Sequence, residues 1–342
     1  MCILRGIKGN YSKRVILFAV VTVLLLPAFG CDKSIKITTG LKDDVIFKLS
    51  GSQCSLSQIM IVLINEKNTY ERDFGQGIWS KNVRDISMEE SVKEGIKEQQ
   101  IYVDAMYMLA KEKNITLSSE EEEKIKAAAG EYFDTLTDAE KTAINVTADD
   151  IAEIYRKSLM SQKVYDSIAE KVQYEVSDEE ARVMSAMYIF IEGKNENSHM
   201  KAAEAYNRIA AGGDFYMVAS EYSDDEIIQI ELGKDEFVEE IKAAAFELKA
   251  DQYTNVLETE KGYYIVKCVE NYLKDKTESN KALILRSKQN EEFLKTFNPF
   301  LEELDLDFND KVWEKIKLSD YEQCTTMTLF QVYDRYFEDN SK

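Results

Sequence analysis

With one histidine, His199, set in a polar turn of a 342-residue chain, the sequence offers no histidine-dependent catalytic triad and no zinc site. The cysteines show no metal-ligand spacing such as C-x-x-C. Cys54, Cys268 and Cys324 are widely separated and leave open one disulfide plus a free thiol, or none. Asp305-x-Asp307-x-Asn309 opens like a calcium loop, but Asp310 stands where the loop needs glycine and Ile316 where it needs an acid. A strand and turn ahead of Trp313 is the expectation there. No glycine-rich phosphate cradle is present, so neither a metal nor a cofactor is expected. The Asn114-Ile115-Thr116 and Asn145-Val146-Thr147 sequons read as helix ends and starts. What remains with chemical potential is a set of hydroxyl, carboxylate and aromatic side chains gathered in Gly212-Gly213-Asp214-Phe215, in Ala219-Ser220-Glu221-Tyr222-Ser223-Asp224-Asp225, and in Gly262-Tyr263-Tyr264-Ile265-Val266-Lys267.

The elements that must position these groups can be read from composition and punctuation. The length allows two or three compact units. Forty-three basic against 63 acidic side chains give a net charge of −20, which repels nucleic acid and anionic headgroups and reads as a solubility device. Nucleic acid is excluded as a partner. Residues 1–30 carry Arg5, Lys8, Lys13 and Arg14 but no acid, ahead of an apolar run from Val15 to Leu26 that is too short for a membrane span and suits a secretory signal. Pro27-Ala28-Phe29-Gly30-Cys31 then resembles the bacterial lipobox, in which the cysteine thiol is alkylated by diacylglycerol and the chain is cut just before it. Residues 1–30 are read as a signal peptide, Cys31 as the lipidation site and 31–44 as a tether. A secreted protein or a retained N-terminal anchor is the other reading.

From Val45 the chain reads as a strand and turn leading into a helix at Ser57–Asn65, then as helices to about residue 176. Their starts are marked by Ser87–Glu90, Ser119–Glu122 and Thr137–Glu140, pairs that can cap each other's backbone. Val92, Ile96, Val103, Met106 and Ala110 recur at helical spacing and give one helix a face to bury. Another pair, Ser177–Glu180, precedes a short strand at Met187–Ile191. A helix from Ala202 to Ala211 stops at Gly212-Gly213, Asp214 caps a second helix through Tyr222, a third carries Ile241, Ala244, Ala245 and Leu248, and Tyr263–Val269 returns as a strand. The tail is helical again, with a boundary expected just before Pro299 and Phe293, Phe297, Trp313, Tyr333, Tyr336 and Phe337 as its apolar anchors.

Tyr188-Ile189-Phe190-Ile191, the Gly212–Asp225 stretch, Ala244-Ala245-Phe246-Glu247-Leu248-Lys249 and Gly262–Lys267 together resemble the PpiC-type parvulin family of peptidyl-prolyl cis-trans isomerases. That resemblance implies a small α+β domain with an antiparallel sheet at residues 177–273. It also implies a crevice in which Tyr188 and Tyr264 occupy the positions of two family histidines, with Asp225 at the Asp/Cys position. These three are the candidate catalytic residues, and Phe237, Ile241 and Phe246 are the candidate substrate-binding wall. Of the family's Gly-Asp-Leu-Gly segment only Leu232-Gly233 remains, behind a shortened loop at Asp225–Ile230.

The helical arm 45–176 resembles the chaperone region of envelope foldases related to trigger factor and the periplasmic survival chaperone. In such proteins the lobe is built from both ends of the chain, so residues 274–342 are expected to pack on the N-terminal lobe and leave the parvulin inserted. The whole resembles the PrsA- and SurA-like foldase lipoproteins. The resemblance implies a foldase and chaperone on the outer face of the bacterial cytoplasmic membrane, lipid-anchored, with unfolded or newly secreted polypeptides as partners and isomerase activity weak or lost. A second reading keeps the fold and makes the protein a non-enzymatic assembly or scaffold factor for one envelope partner. Oligomeric state is left open.

Overall fold

A computed structural model of the protein describes residues 40–83, 85–233 and 239–337. The signal peptide, Cys31 and Phe237 lie outside the described residues. The chain divides into two compact units, one holding the described residues up to Lys171 together with those from Glu292 onward, the other holding Val172–Glu291.

The first unit opens with strands β1 (Val45–Leu49) and β2 (Ser52–Ser55), joined through Ser50 and Gly51 with φ of 42° and 101°. Glycine tolerates that conformation without steric cost. Ser55 caps helix α1 (Leu56–Phe74) reciprocally with Gln58, so the helix starts one residue before the Ser57 expected and runs well past Asn65. A two-stranded ribbon, β3 (Asn82–Val83) and β4 (Ile86–Ser87), precedes α2 (Met88–Glu112), α3 (Ser119–Thr135), α4 (Asp138–Ile144) and α5 (Ala148–Ala169). Reciprocal caps form at Ser87/Glu90 and Thr137/Glu140 as expected. The third is set one residue earlier than expected, at Ser118/Glu121, because Ser118 has the extended backbone a cap requires (φ −74°, ψ 163°) while Ser119 is already helical. A further box at Thr147/Asp150 starts α5. Asn114 and Asn145 sit at left-handed φ of 56° and 54° and end α2 and α4.

In the second unit Ser177 caps α6 (Asp178–Ala181) from one side only. Its hydroxyl accepts the Glu180 amide proton, but the Glu180 carboxylate is taken by the Tyr174 hydroxyl at 2.7 Å. There follow β5 (Val183–Glu192), α7 (Glu196–Ala210), α8 (Phe215–Tyr222), β6 (Gln229–Gly233), α9 (Glu239–Phe246), β7 (Leu257–Glu258), β8 (Gly262–Glu270) and α10 (Lys274–Glu303). The sheet has four antiparallel strands in the order β6-β5-β8-β7, two more than the sequence suggested. One of them, β6, joins the end of the segment read as a shortened loop, Gln229–Ile230, to the retained Leu232-Gly233, with Ile230 opposite Ala186 and Leu232 opposite Met184.

His199 lies on α7 and not in a polar turn. Asn195 caps that helix by accepting the Ser198 amide at 3.0 Å, which starts it six residues before Ala202. Both ends of the α7–α8 turn follow the reading: Gly212 is left-handed at φ 93°, and Asp214 accepts the Met217 amide at 2.9 Å.

The sheet's two faces bury different cores. Ile189, Ile191, Tyr263 and Ile265 pack with Ala202, Ala205, Phe215 and Val218 of α7 and α8. Met184, Ala186, Tyr188, Val266 and Cys268 pack with Ile241, Ala245 and Phe246 of α9. The alternation is the two-residue period of a strand covered on both sides. The unit reaches beyond residue 273 because the start of α10 is tied to β5: Leu273 donates to the Val183 carbonyl, Thr277 Oγ1 accepts from the Val183 amide, and Asn280 donates to the Ala181 carbonyl.

Helix α10 does not end before Pro299. Phe293 and Phe297, stacked at 5.2 Å, are fully buried in the first unit. Past the proline the same helix lays Phe300 and Leu301 partly buried against that core, and this packing works against the roughly 3 kcal/mol an interior proline costs. Beyond it, β9 (Leu306–Phe308) adds to β1 antiparallel, Phe47 facing Phe308, and gives a sheet ordered β2-β1-β9. The expected strand and turn therefore occupy Asp305–Asn309. Helices α11 (Asp310–Trp313) and α12 (Leu329–Phe337) follow, and Trp313, Leu329, Val332 and Tyr333 join Ile59, Leu63, Ile125, Tyr132 and Tyr155 in one core. The fold is α+β: a mainly helical lobe built from the N- and C-terminal segments, with a small α/antiparallel-sheet domain inserted. Among the described residues no helix is long and apolar enough to cross a membrane, and no group of acidic, histidine and cysteine side chains is arranged to hold a metal. Cys54, Cys268 and Cys324 are free and buried.

Candidate functional site

Strands β5 and β8 bring the candidate polar groups to one face of the second unit's sheet. Phe190 pairs with Tyr264 and Tyr188 with Val266, so Tyr188, Phe190 and Tyr264 lie on the α9 side. Phe190 and Tyr264 stack at 4.6 Å, and Tyr188 lies 6.1 Å from Tyr264, tilted by 35°. The Tyr188 ring is buried, and its hydroxyl donates to Asp225 Oδ2 at 2.6 Å. Burial raises the Tyr264 phenol above its ordinary range, and the Asp225 charge raises it further, so this hydroxyl stays protonated at neutral pH. Ile241 and Phe246 close the same apolar cluster from α9. The opposite face holds His199, whose ring meets the edge of Tyr263 at 5.4 Å.

Asp225 is placed by the turn that carries it. The Asp224 amide donates to the Phe190 carbonyl at 2.7 Å, and the Ser223 hydroxyl accepts from the Phe190 amide at 3.2 Å and the Asp225 amide at 3.3 Å. The Asp224 carboxylate accepts the Glu192 amide at 2.9 Å and the Lys201 ammonium at 2.6 Å. Burial pushes the Asp224 pKa up, but these donors outweigh it and hold the group below the usual carboxylate range. Asp225 itself accepts the Ile227 amide at 3.0 Å with its other oxygen, and the Tyr188 amide donates to the Ile228 carbonyl at 2.8 Å. The turn is thus stitched to β5 on both sides of the Tyr188–Asp225 bond.

Gly262 is fixed by the same strand pair. A Cβ there would stand 2.1 Å from the Ile191 carbonyl oxygen, and its φ of 154° is one that side chains rarely adopt. The glycine lets β8 start close against the end of β5, which sets the register that puts Tyr264 opposite Phe190.

Residues 183–270 match the sequence profile of the family described as "Rotamase: PPIC-type PPIASE domain". The second unit carries a parvulin-type rotamase domain. The chain is also 24% identical over 263 residues to the foldase protein PrsA of Caldanaerobacter subterraneus subsp. tengcongensis, covering 75% of this chain and 82% of that protein. It is 27% identical over 165 residues to the foldase protein PrsA of Halalkalibacterium halodurans, covering 43% and 48%. Among solved structures it is similar to peptidylprolyl isomerase (PrsA) of Bacillus cereus, with 16% identity, a TM-score of 0.38 and 74% and 97% of the two chains covered.

Within the rotamase domain, then, Tyr188, Asp225 and Tyr264 converge, and Ile241 and Phe246 sit beside them. Sequence reasoning missed Phe190, Ser223 and Asp224. Phe190 was accessible from strand alternation, two residues beyond Tyr188. The polar turn was quoted as a motif, but its role as a brace appears only once it lies against β5. In chemical terms the cluster offers phenolic hydroxyls and one carboxylate, groups that donate and accept hydrogen bonds.

Proposed function

We propose that this protein is a foldase and chaperone for secreted or envelope proteins on the outer face of the bacterial cytoplasmic membrane, anchored by diacylglycerol on Cys31, with a rotamase domain of weak or lost isomerase activity. Support for the foldase reading comes from the rotamase profile together with the PrsA relative whose length the chain largely spans. One contact carries the reading of the domain's chemistry: the 2.6 Å bond from Tyr188 to Asp225. In this reading Tyr188 and Tyr264 stand where the family carries histidines, while Phe237, Ile241 and Phe246 form the cup for proline.

Isomerisation breaks no covalent bond. A catalyst has to lower a rotational barrier of about 18–20 kcal/mol by weakening amide resonance, which requires no imidazole titrating near pH 7. A phenol already committed to a carboxylate, however, gives its proton to Asp225 rather than to the client amide. The crevice would then hold a proline segment and turn it slowly. The clients are unfolded or newly secreted polypeptides, caught on shallow apolar surface that tolerates many sequences.

The test is the cis-to-trans rate of a proline peptide series with the full chain and with a Tyr188→His/Tyr264→His variant. Rates near the uncatalysed value in the native chain are expected, and family-typical turnover would sink the weak-activity reading. Failure to suppress aggregation of an unfolded client at stoichiometric amounts would overturn the chaperone reading. Cys31→Ala is expected to release the protein from the membrane fraction, and retention there would overturn the anchor.

A further inference from the structure

Arg182 sits between α6 and β5, outside every group considered so far, with its side chain 18% exposed. One terminal nitrogen donates to the Phe246 carbonyl at 2.7 Å, and the guanidinium carbon lies 4.9 Å from the centre of the Phe246 ring. Glu179 meets it at 3.3 Å but is itself 65% exposed, so that ion pair adds little. The Nε is buried and has no hydrogen-bond partner among the described residues. Phe246 is the last residue of α9, and its carbonyl is one of those a helix leaves without an internal donor. A cation there also suits the negative end of the helix.

These contacts do two separate things. The hydrogen bond caps the end of α9, which any long cationic side chain could do. The guanidinium over the ring limits how the Phe246 ring can turn, and its flat, extended group does so over a wider area than an ammonium can. A buried donor left unpaired is destabilising, so a residue needed merely to fill the space would be better as a hydrocarbon. Because the Phe246 ring packs in one cluster with Tyr188, Ile241 and Val266, its plane sets the shape of the apolar wall next to the Tyr188–Asp225 bond.

We infer that Arg182 is a positioning residue that holds the Phe246 wall in the orientation that accepts a proline ring. This rests on the reading above that the crevice takes proline-containing segments. Arg182 touches no substrate; it acts through Phe246.

The experiment compares the full native chain with Arg182→Lys and Arg182→Met, measuring affinity for a fluorescent peptide holding one Leu-Pro bond and for its Leu-Ala counterpart. Arg182→Lys keeps a donor for the carbonyl and a cation near the ring and should melt like the native protein, yet lose about two- to tenfold in affinity for Leu-Pro, the cost of immobilising one loosened side chain on binding. Its affinity for Leu-Ala should not change. Equal losses for both peptides, or no loss for Leu-Pro, would overturn the inference, and Arg182→Met should lose at least as much while also melting earlier. A native chain that binds both peptides alike would instead overturn the crevice reading. The hold on the ring is then still decided by the flip rate of Phe246 in aromatic carbon NMR, which must rise in Arg182→Lys for the clamp to stand.

Discussion

Replacing Lys157 by methionine should unfold the helical lobe far more readily than the loss of one surface charge would suggest. Lys157 Nζ lies 2.6 Å from Asp104 Oδ1, with the two side chains 7% and 1% exposed, and it also donates to the Gln53 carbonyl at 2.9 Å. The Ser52 hydroxyl donates to the same Asp104 oxygen. The trio ties β2 to α2 and α5. Burial holds the Asp104 pKa above the usual carboxylate range even though Lys157 and Ser52 pull it down. Methionine keeps the volume of the stem but leaves a dry carboxylate with one donor, a change worth about 3–5 kcal/mol. With a urea m-value of about 2 kcal/mol/M, the midpoint should fall by about 1.5–2.5 M.

Both tryptophans, Trp79 and Trp313, lie in the first unit, so tryptophan emission follows that unit alone. Adding Asp104→Leu should restore most of the loss, since replacing a whole buried pair by packed apolar groups is often neutral or better. The penalty of Lys157→Met alone should shrink as pH falls, because a raised carboxylate pKa marks an ionised form that the fold disfavours and protonation relieves. A midpoint shift under about 0.5 M, or a double variant as unstable as the sum of the singles, would refute the reasoning.

Glu140 should govern the acid limb of the same unit. Its buried carboxylate accepts from the Thr325 and Thr326 amides at 2.7 and 2.8 Å, and these with the Thr137 amide outweigh burial and hold its pKa below 4.5. Its stabilisation is therefore complete above pH 4.5 and is lost as pH falls through the lowered folded value. Glu140→Gln should cost about 2–3 kcal/mol at pH 7 and flatten the acid transition in tryptophan emission. In the rotamase domain Gly262→Ala should cost roughly 3 kcal/mol by driving its methyl into the Ile191 carbonyl, seen as faster amide exchange in β5 and β8 with an unchanged tryptophan midpoint. Ser223→Ala should remove the acceptor for the Phe190 and Asp225 amides and cost about 1–2 kcal/mol, and unchanged exchange at Phe190 would count against the brace.

Much of this protein was legible in local sequence because its signals act over a few residues. Cap pairs such as Ser87/Glu90 and Thr137/Glu140, the left-handed stop at Gly212 and the cap at Asp214 are fixed by the chemistry of neighbouring backbone groups. That Tyr188 and Tyr264 share a face was implied only by the family resemblance, and the register that sets Phe190 opposite Tyr264 decided it. Where two adjacent serines could both serve, as at Ser118 and Ser119, sequence alone had no way to choose, and the backbone angle decided. Pro299 misled because a local penalty was overcome by the packing of Phe300 and Leu301 on the core, which depends on distant partners.

What the sequence determined by itself was the inventory: an acidic composition, a helical arm, an inserted parvulin-type domain and the polar and aromatic side chains of that domain. Tertiary structure decided how those pieces are held. It made β9 the third strand of a sheet begun some 260 residues earlier, with Phe308 facing Phe47. It turned Ser223-Asp224-Asp225 into a brace on β5, and it set Arg182 across the ring of Phe246. The division follows the range of the forces: caps, turns and alternation are settled between neighbours along the chain, whereas strand addition, buried pairs and ring contacts exist only when remote segments share one dry interior.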